Sequence, residues 1–229
     1  MKIIVYTHDD VKWVWPHWYR QTKKYLNDYE KVMFVNNIPS KEDSYSYIEY
    51  NSNLNYTKRV VSCLEHMNDE EVIIFHHEDM FLYDSPNLNL INEYKKLVQE
   101  DKVHLIKLLR NGDSLPQHPD HPSLYYNPSY LFFAIQPTII KVKTLKEIYS
   151  TTPGNTIWEF EASAMLSSLS SKYTSCFAYN QGSKRGKNHW DSNIYPYIAT
   201  AVVKGKWNLK EYPNELNTIL YPITSSIPK

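Results

Sequence analysis

Apolar positions along this chain fall into short blocks of strand length, separated by longer stretches with helical spacing. Residues 2–7 (KIIVYT), 31–36 (KVMFVN), 71–76 (EVIIFH) and 103–109 (VHLIKLL) are rich in β-branched residues and read as buried strands. Between them, residues 17–25 have helical composition, with Pro16 suited to a first helical turn. Residues 56–67 (YTKRVVSCLEHM) carry Val60, Cys63, Leu64 and Met67 on one face, and residues 88–99 (LNLINEYKKLVQ) read as another helix. Strand–helix alternation of this kind implies a mostly parallel sheet with helices on both faces.

The pattern changes beyond residue 110. Residues 111–129 hold four prolines and no periodicity, which predicts a long loop. Residues 130–142 are apolar and strand-like, 144–149 a short helix, and 156–173 a longer helix opened by a turn at Pro153-Gly154-Asn155. Residues 176–179 read as a last short strand and 183–190 (SKRGKNHW) as a basic, glycine-containing loop. Residues 191–207 are compatible with helix or extended chain. The expected organisation is one domain over 1–229, with a first half (1–110), a second half (111–210) and a peripheral tail (211–229).

Composition narrows the function classes. The chain has 229 residues with 25 basic and 25 acidic side chains, so no net charge draws it to nucleic acid. No apolar run reaches the length of a transmembrane helix, and the N-terminal run is too short for a signal-peptide core. Cys63 and Cys176 form neither a disulfide framework nor a zinc pattern, which fits a reducing, cytoplasmic setting. Twenty tyrosines and six tryptophans suit surfaces that stack rings, or ordinary core packing.

The densest ionisable cluster, His76-His77-Glu78-Asp79, stands at the carboxyl end of the third strand, where parallel sheets bind ligands. Glu78 and Asp79 supply oxygens for a hard divalent cation, and His77 a borderline ligand suited to manganese. The plain alternative is a strand end meeting solvent. The first strand ends similarly, in His8-Asp9-Asp10.

The order KIIVYT, KVMFVN, YTKRVVSCLEHM, VIIFHHED resembles the nucleotide-sugar half of a GT-A-fold glycosyltransferase, in particular the small enzymes of bacteria and of large algal (chlorella-type) viruses. In that family a DxD-type motif holds a divalent metal against the donor diphosphate. His77-Glu78-Asp79 resembles its relaxed xED form, with His77 where the first aspartate would stand. The resemblance implies an α/β fold with a mixed, mostly parallel sheet flanked by helices. It implies Mn²⁺ or Mg²⁺ on Asp79, with His77 and His189 as further ligands. It also implies a donor site of Thr7, His8, Asp9, Arg59, Glu78, Asp79 and Lys187, within which Lys184, Arg185 and Lys187 face the leaving phosphate. Glu161 is the expected general base of an inverting enzyme. Glu159 is a second candidate that also fits as the N3 residue of a cap begun by Thr156. Trp158, Tyr125 and Tyr126 are the expected acceptor contacts. The implied activity is transfer from a nucleoside-diphosphate sugar, UDP-linked, to a glycan, glycolipid or glycoprotein acceptor. It would take place in the cytoplasm, the host's if the source is viral. The rival readings are a nucleotidyltransferase acting on sugar phosphates and a non-catalytic carbohydrate-binding domain.

Overall fold

The computed structural model describes residues 1–39, 44–109, 115–178, 182–185 and 189–222. The main strands are β1 (Lys2–Tyr6), β2 (Glu30–Val35), β3 (Tyr45–Glu49), β4 (Val72–His77), β5 (Leu105–Lys107), β6 (Leu124–Tyr126), β7 (Thr138–Lys141) and β8 (Ser175–Ala178). They form one mixed sheet in the order β3-β2-β1-β4-β7-β5-β8-β6. Pairing is parallel across β3-β2-β1-β4 and β5-β8, and antiparallel where β7 and β6 join. β4 is buried along its whole length, the behaviour of a central strand covered on both faces.

Helices α1 (Trp15–Tyr25), α2 (Tyr56–Leu64), α3 (Leu88–Gln99), α4 (Val142–Thr151), α5 (Ile157–Met165) and α6 (Pro213–Leu220) flank this sheet. Alternation along β4 sends neighbouring histidines into opposite layers. His76 meets Trp18 of α1, with ring centroids 5.2 Å apart, while His77 meets Tyr56 of α2. Helix starts follow local chemistry. Asn55, Asn87 and Thr156 each accept an N–H from the first turn of α2, α3 and α5.

Five segments differ from expectation, the first being the expected loop 111–129, which contains β6 at Leu124–Tyr126. The strand β3, missed in a polar stretch, is an edge strand whose only buried residue is Tyr45. Residues 130–142 are strand only from Thr138, because Pro137 has no N–H for a ladder and the preceding residues turn through a 3-10 segment, Ser129–Leu131. The helix expected to reach 173 stops at Met165 and a separate 3-10 turn, Ser168–Ser171, follows; Ser167 caps that turn with its own hydroxyl. The tail expected to be peripheral contains α6, anchored by buried Tyr212, Leu216 and Ile219.

After β4 the chain is stitched to its own later segment. Backbone hydrogen bonds link Ala201 N to Asp79 O (3.1 Å), Ile198 N to Phe81 O (2.7 Å), Tyr83 N to Pro196 O (3.0 Å) and Asn87 N to Ile194 O (2.8 Å). Residues 194–201 therefore run as an antiparallel strap along 79–87. Among the described residues no helix is long and apolar enough to cross a membrane.

Candidate active site

The carboxyl ends of β1, β2, β3 and β4 lie along one edge of the sheet, and the residues that follow them build the site. Glu78 and Asp79 are half-buried, and among the described residues neither forms an ion pair. Burial disfavours both negative charges and pushes the two carboxyls above the ordinary carboxylate range; Asp79 drives Glu78 further up by repulsion. The Val202 N–H, donated to the Asp79 carboxylate from the end of the strap, opposes part of that rise. Two adjacent acids with no ion-pair partner among the described residues form a donor set that a hard cation fits.

Glu161 approaches this region from α5. Its Oε1 accepts the Ile135 N–H at 2.9 Å. β4 pairs with β7 so that Phe75 faces Thr138. Glu161 also lies close enough for its charge to add to the rise that burial gives the pKa of Tyr56 and Tyr149, the hydroxyl pair behind His77 at the end of β4. Glu161 is thus anchored by one oxygen beside the Tyr56–Tyr149 pair. Glu159, by contrast, is a capping residue: its Oε2 accepts Asn155 N (2.9 Å) and its own N–H goes to Thr156 Oγ1 (3.2 Å). Asn155 O also accepts Tyr56 N (3.2 Å), so the start of α5 meets the start of α2. Trp158, in the first turn of α5, is 78% exposed.

An aromatic stack underlies the β1 side. The Tyr6 ring lies on Tyr50 (5.4 Å, 14°) and meets Tyr56 edge-on (5.2 Å, 87°). The Arg59 guanidinium sits 5.6 Å from the Tyr50 ring centre and is fixed by donation to Leu54 O (2.7 Å) and Ser52 O (2.6 Å). A cleft of about 490 Å³, lined by Asn36, Glu49, Tyr50, Asn51 and Ser52, opens beside it. Asp9 borders this region. Asn36 and Asn37 donate to its carboxylate at 2.6 and 2.7 Å and hold its pKa below the usual value.

Several expected site residues have other tasks. Thr7 is buried: its hydroxyl accepts the Trp15 indole N–H (2.7 Å) and its carbonyl the Tyr50 hydroxyl (2.7 Å), so it shapes the edge from beneath. His77 is buried and its Nε2 is engaged with the Tyr56 hydroxyl (2.9 Å), which itself meets Tyr149 OH (2.9 Å). Burial holds the His76 and His77 rings down to about 3, as neutral imidazoles. His189 is paired with Glu211 (2.9 Å). The short strands β9 (Lys184–Arg185) and β10 (His189–Trp190) pair antiparallel, and Arg185 bonds Asp191 and Glu215, which ties this hairpin to α6 at the end of the strap remote from Asp79. Asp79, His77 and His189 are therefore not gathered as one ligand set. Among the described residues the cluster with ligand-like spacing is His8, Asp9 and Asp10, where His8 Nδ1 lies 3.1 Å from Asp9 and 3.2 Å from Asp10. Lys184 lies against Trp190, 5.6 Å from its ring centre. Lys187 lies outside the described residues. Tyr125 and Tyr126 sit on β6, the far edge strand, four strands or roughly 19 Å from β4. Tyr125 stacks on Phe177 and Tyr126 meets His118, so both belong to that edge rather than to this site.

Sequence reasoning missed Tyr6, Tyr50 and Lys107. The Lys107 side chain is buried in β5, its ammonium donates to Leu131 O (2.8 Å), and burial pushes its pKa down to about 7 against the opposing charge of Glu161. One lysine inside an apolar run, LIKLL, was the signal available.

Comparison with solved structures gives the fold independent support. The chain resembles TarS residues 1–349 of S. aureus, a glycosyltransferase, with TM-score 0.50 and 14% identity, over 96% of this chain and 63% of that one. The fold is of the GT-A type. It is equally similar to a UDP-glucose pyrophosphorylase solved with UDP-glucose, a nucleotidyltransferase (TM-score 0.50, 9% identity, 81% of this chain and 92% of that one). A bifunctional IspDF from Campylobacter jejuni also matches (TM-score 0.47, 13% identity, 82% of this chain and 52% of that one). The chain thus spans about half of IspDF and under two thirds of the TarS fragment. No protein-family model matches the sequence, and no curated protein matches it either.

Proposed function

We propose that this protein is a glycosyltransferase that moves a sugar from a UDP-linked donor to a hydroxyl of a glycan, glycolipid or glycoprotein acceptor. The observation that carries the reading is the pair Glu78–Asp79 at the end of β4, without an ion-pair partner among the described residues, with Glu161 near the Tyr56–Tyr149 pair behind that strand end. Asp79, helped by Glu78, would hold Mn²⁺ or Mg²⁺. A cation bound there would offset the charge growing on the departing diphosphate. The Tyr6–Tyr50 stack, Arg59 and Asp9 flank the cleft at the ends of β1 to β3 and would receive the nucleoside. A guanidinium held flat by two carbonyls keeps N–H donors aimed at oxygen acceptors.

Glu161 has one oxygen anchored on Ile135 N, which leaves the other for the acceptor proton as the acceptor oxygen attacks the sugar. Trp158 stands exposed on the turn before it and would offer a face for sugar stacking.

A nucleotidyltransferase is the second reading, favoured by the equal similarity to the pyrophosphorylase. The segment after β1 counts against it: HDDVKWVW is acidic and aromatic, where a glycine-rich basic loop is expected to cradle a triphosphate. One assay separates the two. The protein is incubated with Mn²⁺ and either UDP-sugars or UTP plus sugar phosphates. Release of UDP that disappears in Asp79→Asn supports the transferase. Release of pyrophosphate from UTP assigns the second activity and overturns the first.

A further inference from the structure

We propose that the hairpin following the strap, together with the turn bearing Trp13, is a docking surface for an anionic lipid bilayer. Two short strands build it: β11 (Val202–Val203) pairs antiparallel with β12 (Lys206–Trp207), Val202 opposite Trp207 and Val203 opposite Lys206. Opposed residues share a face. Trp207 packs on Trp13 (4.8 Å), His17 (5.2 Å) and Phe81 (6.0 Å), so Val202 and Trp207 form the inner face and Val203 and Lys206 the outer one. The tip, Lys204-Gly205, turns with φ of 50° and 72°, the double positive φ of a tight hairpin turn, and both residues are exposed.

What this region shows to solvent is unusual for a chain of zero formal charge. Trp13, Val203 and Leu209 are 38%, 46% and 47% exposed. Between 203 and 210 stand Lys204, Lys206 and Lys210 with no acid, and Lys12 adds a fourth exposed ammonium beside Trp13. Among the described residues Lys204, Lys206 and Lys210 form no ion pair; the acid nearest in sequence to Lys12 is Asp10, 86% exposed at its side chain. An indole and two aliphatic side chains seat in the headgroup layer, and long lysine stems let ammonium groups reach lipid phosphates. Nucleic acid is the poorer partner: the Trp13 ring is already engaged by Trp207 rather than open for base stacking. The base of the hairpin also holds Asp79 through Val202 N and Ala201 N, so docking here would bring the acid end of β4 to the bilayer. The inference does not rest on the transferase reading.

The test is co-sedimentation of the full chain with phosphatidylcholine vesicles, with and without phosphatidylglycerol. The wild type is expected to bind only the anionic vesicles. Lys204→Glu/Lys206→Glu is expected to bind about tenfold or more weakly, with its thermal melt unchanged, and Val203→Asp to weaken binding as well. Equal binding to neutral vesicles, no binding to either, or unchanged binding by both variants overturns the proposal. So does retention on a single-stranded RNA oligonucleotide without vesicle binding.

Discussion

Asp79 is held near another carboxylate and partly out of water, an arrangement that works against the folded state. Replacing it by Asn removes one of two repelling charges and keeps an oxygen for the Val202 N–H. Asp79→Asn is therefore expected to melt at the wild-type temperature or above it, while losing Mn²⁺-dependent UDP affinity in calorimetry. A second residue-scale prediction concerns Tyr56, whose hydroxyl joins His77 to Tyr149. Tyr56→Phe leaves two buried polar atoms short of a partner and should cost about 1–3 kcal/mol in denaturant titration. At this scale, the residues to which the sequence draws attention follow charge. Glu78, Asp79 and Glu161 stand out because acids beside apolar runs are conspicuous. Tyr6, Tyr50 and Tyr56 did not, because a tyrosine in a core and a tyrosine under a ligand cleft look alike in one dimension. His77 and His189 misled for a related reason. A histidine's partner is set by packing, and here Tyr56 and Glu211 each took one ring nitrogen.

At the scale of elements, α5 is seated by a close approach. A Cβ added to Gly154 would lie 2.5 Å from both Cα and N of Phe160, and backbone cannot swing aside as a side-chain tip does. Gly154→Ala is expected to destabilise by about 1–3 kcal/mol, measured by chemical denaturation, and to lower any Glu161-dependent rate by displacing the helix start. The elements with strong period or β-branched runs were legible to within three residues: β1, β2, β4, α2 and α3. The edge strand β3 was not, because an exposed face admits Ser and Glu and dilutes the alternation. Nor was the end of α5, where Ser167 begins a new turn by satisfying the Leu169 N–H locally.

For the molecule as a whole, two buried histidines impose an acid limit. In the fold their imidazoles bind protons only near pH 3, against about 6.5 in an unfolded chain. Below pH 6.5 the unfolded state takes up more protons, so stability present at neutral pH is lost progressively as pH falls toward 3. Lys107 acts at the other end. Its folded value of about 7 lies under the ordinary lysine value, so the unfolded state again holds the extra proton, and stability rises as pH climbs from 7 toward 10. In urea midpoints across pH 4 to 9 this rise is opposed by the raised carboxyls of Glu78 and Asp79, so it should be steeper in Asp79→Asn, and Lys107→Met should flatten the alkaline part.

The strap along residues 79–87 sets an order of events on the ribosome. Strands β1 to β4 emerge early and can pair with one another, yet Asp79 gains its backbone partners only when residues 201 and 202 have been made. A nascent chain halted before that point holds the sheet edge without its finished acid corner. Any competence to bind a cation there would consequently be among the last properties the growing polypeptide acquires.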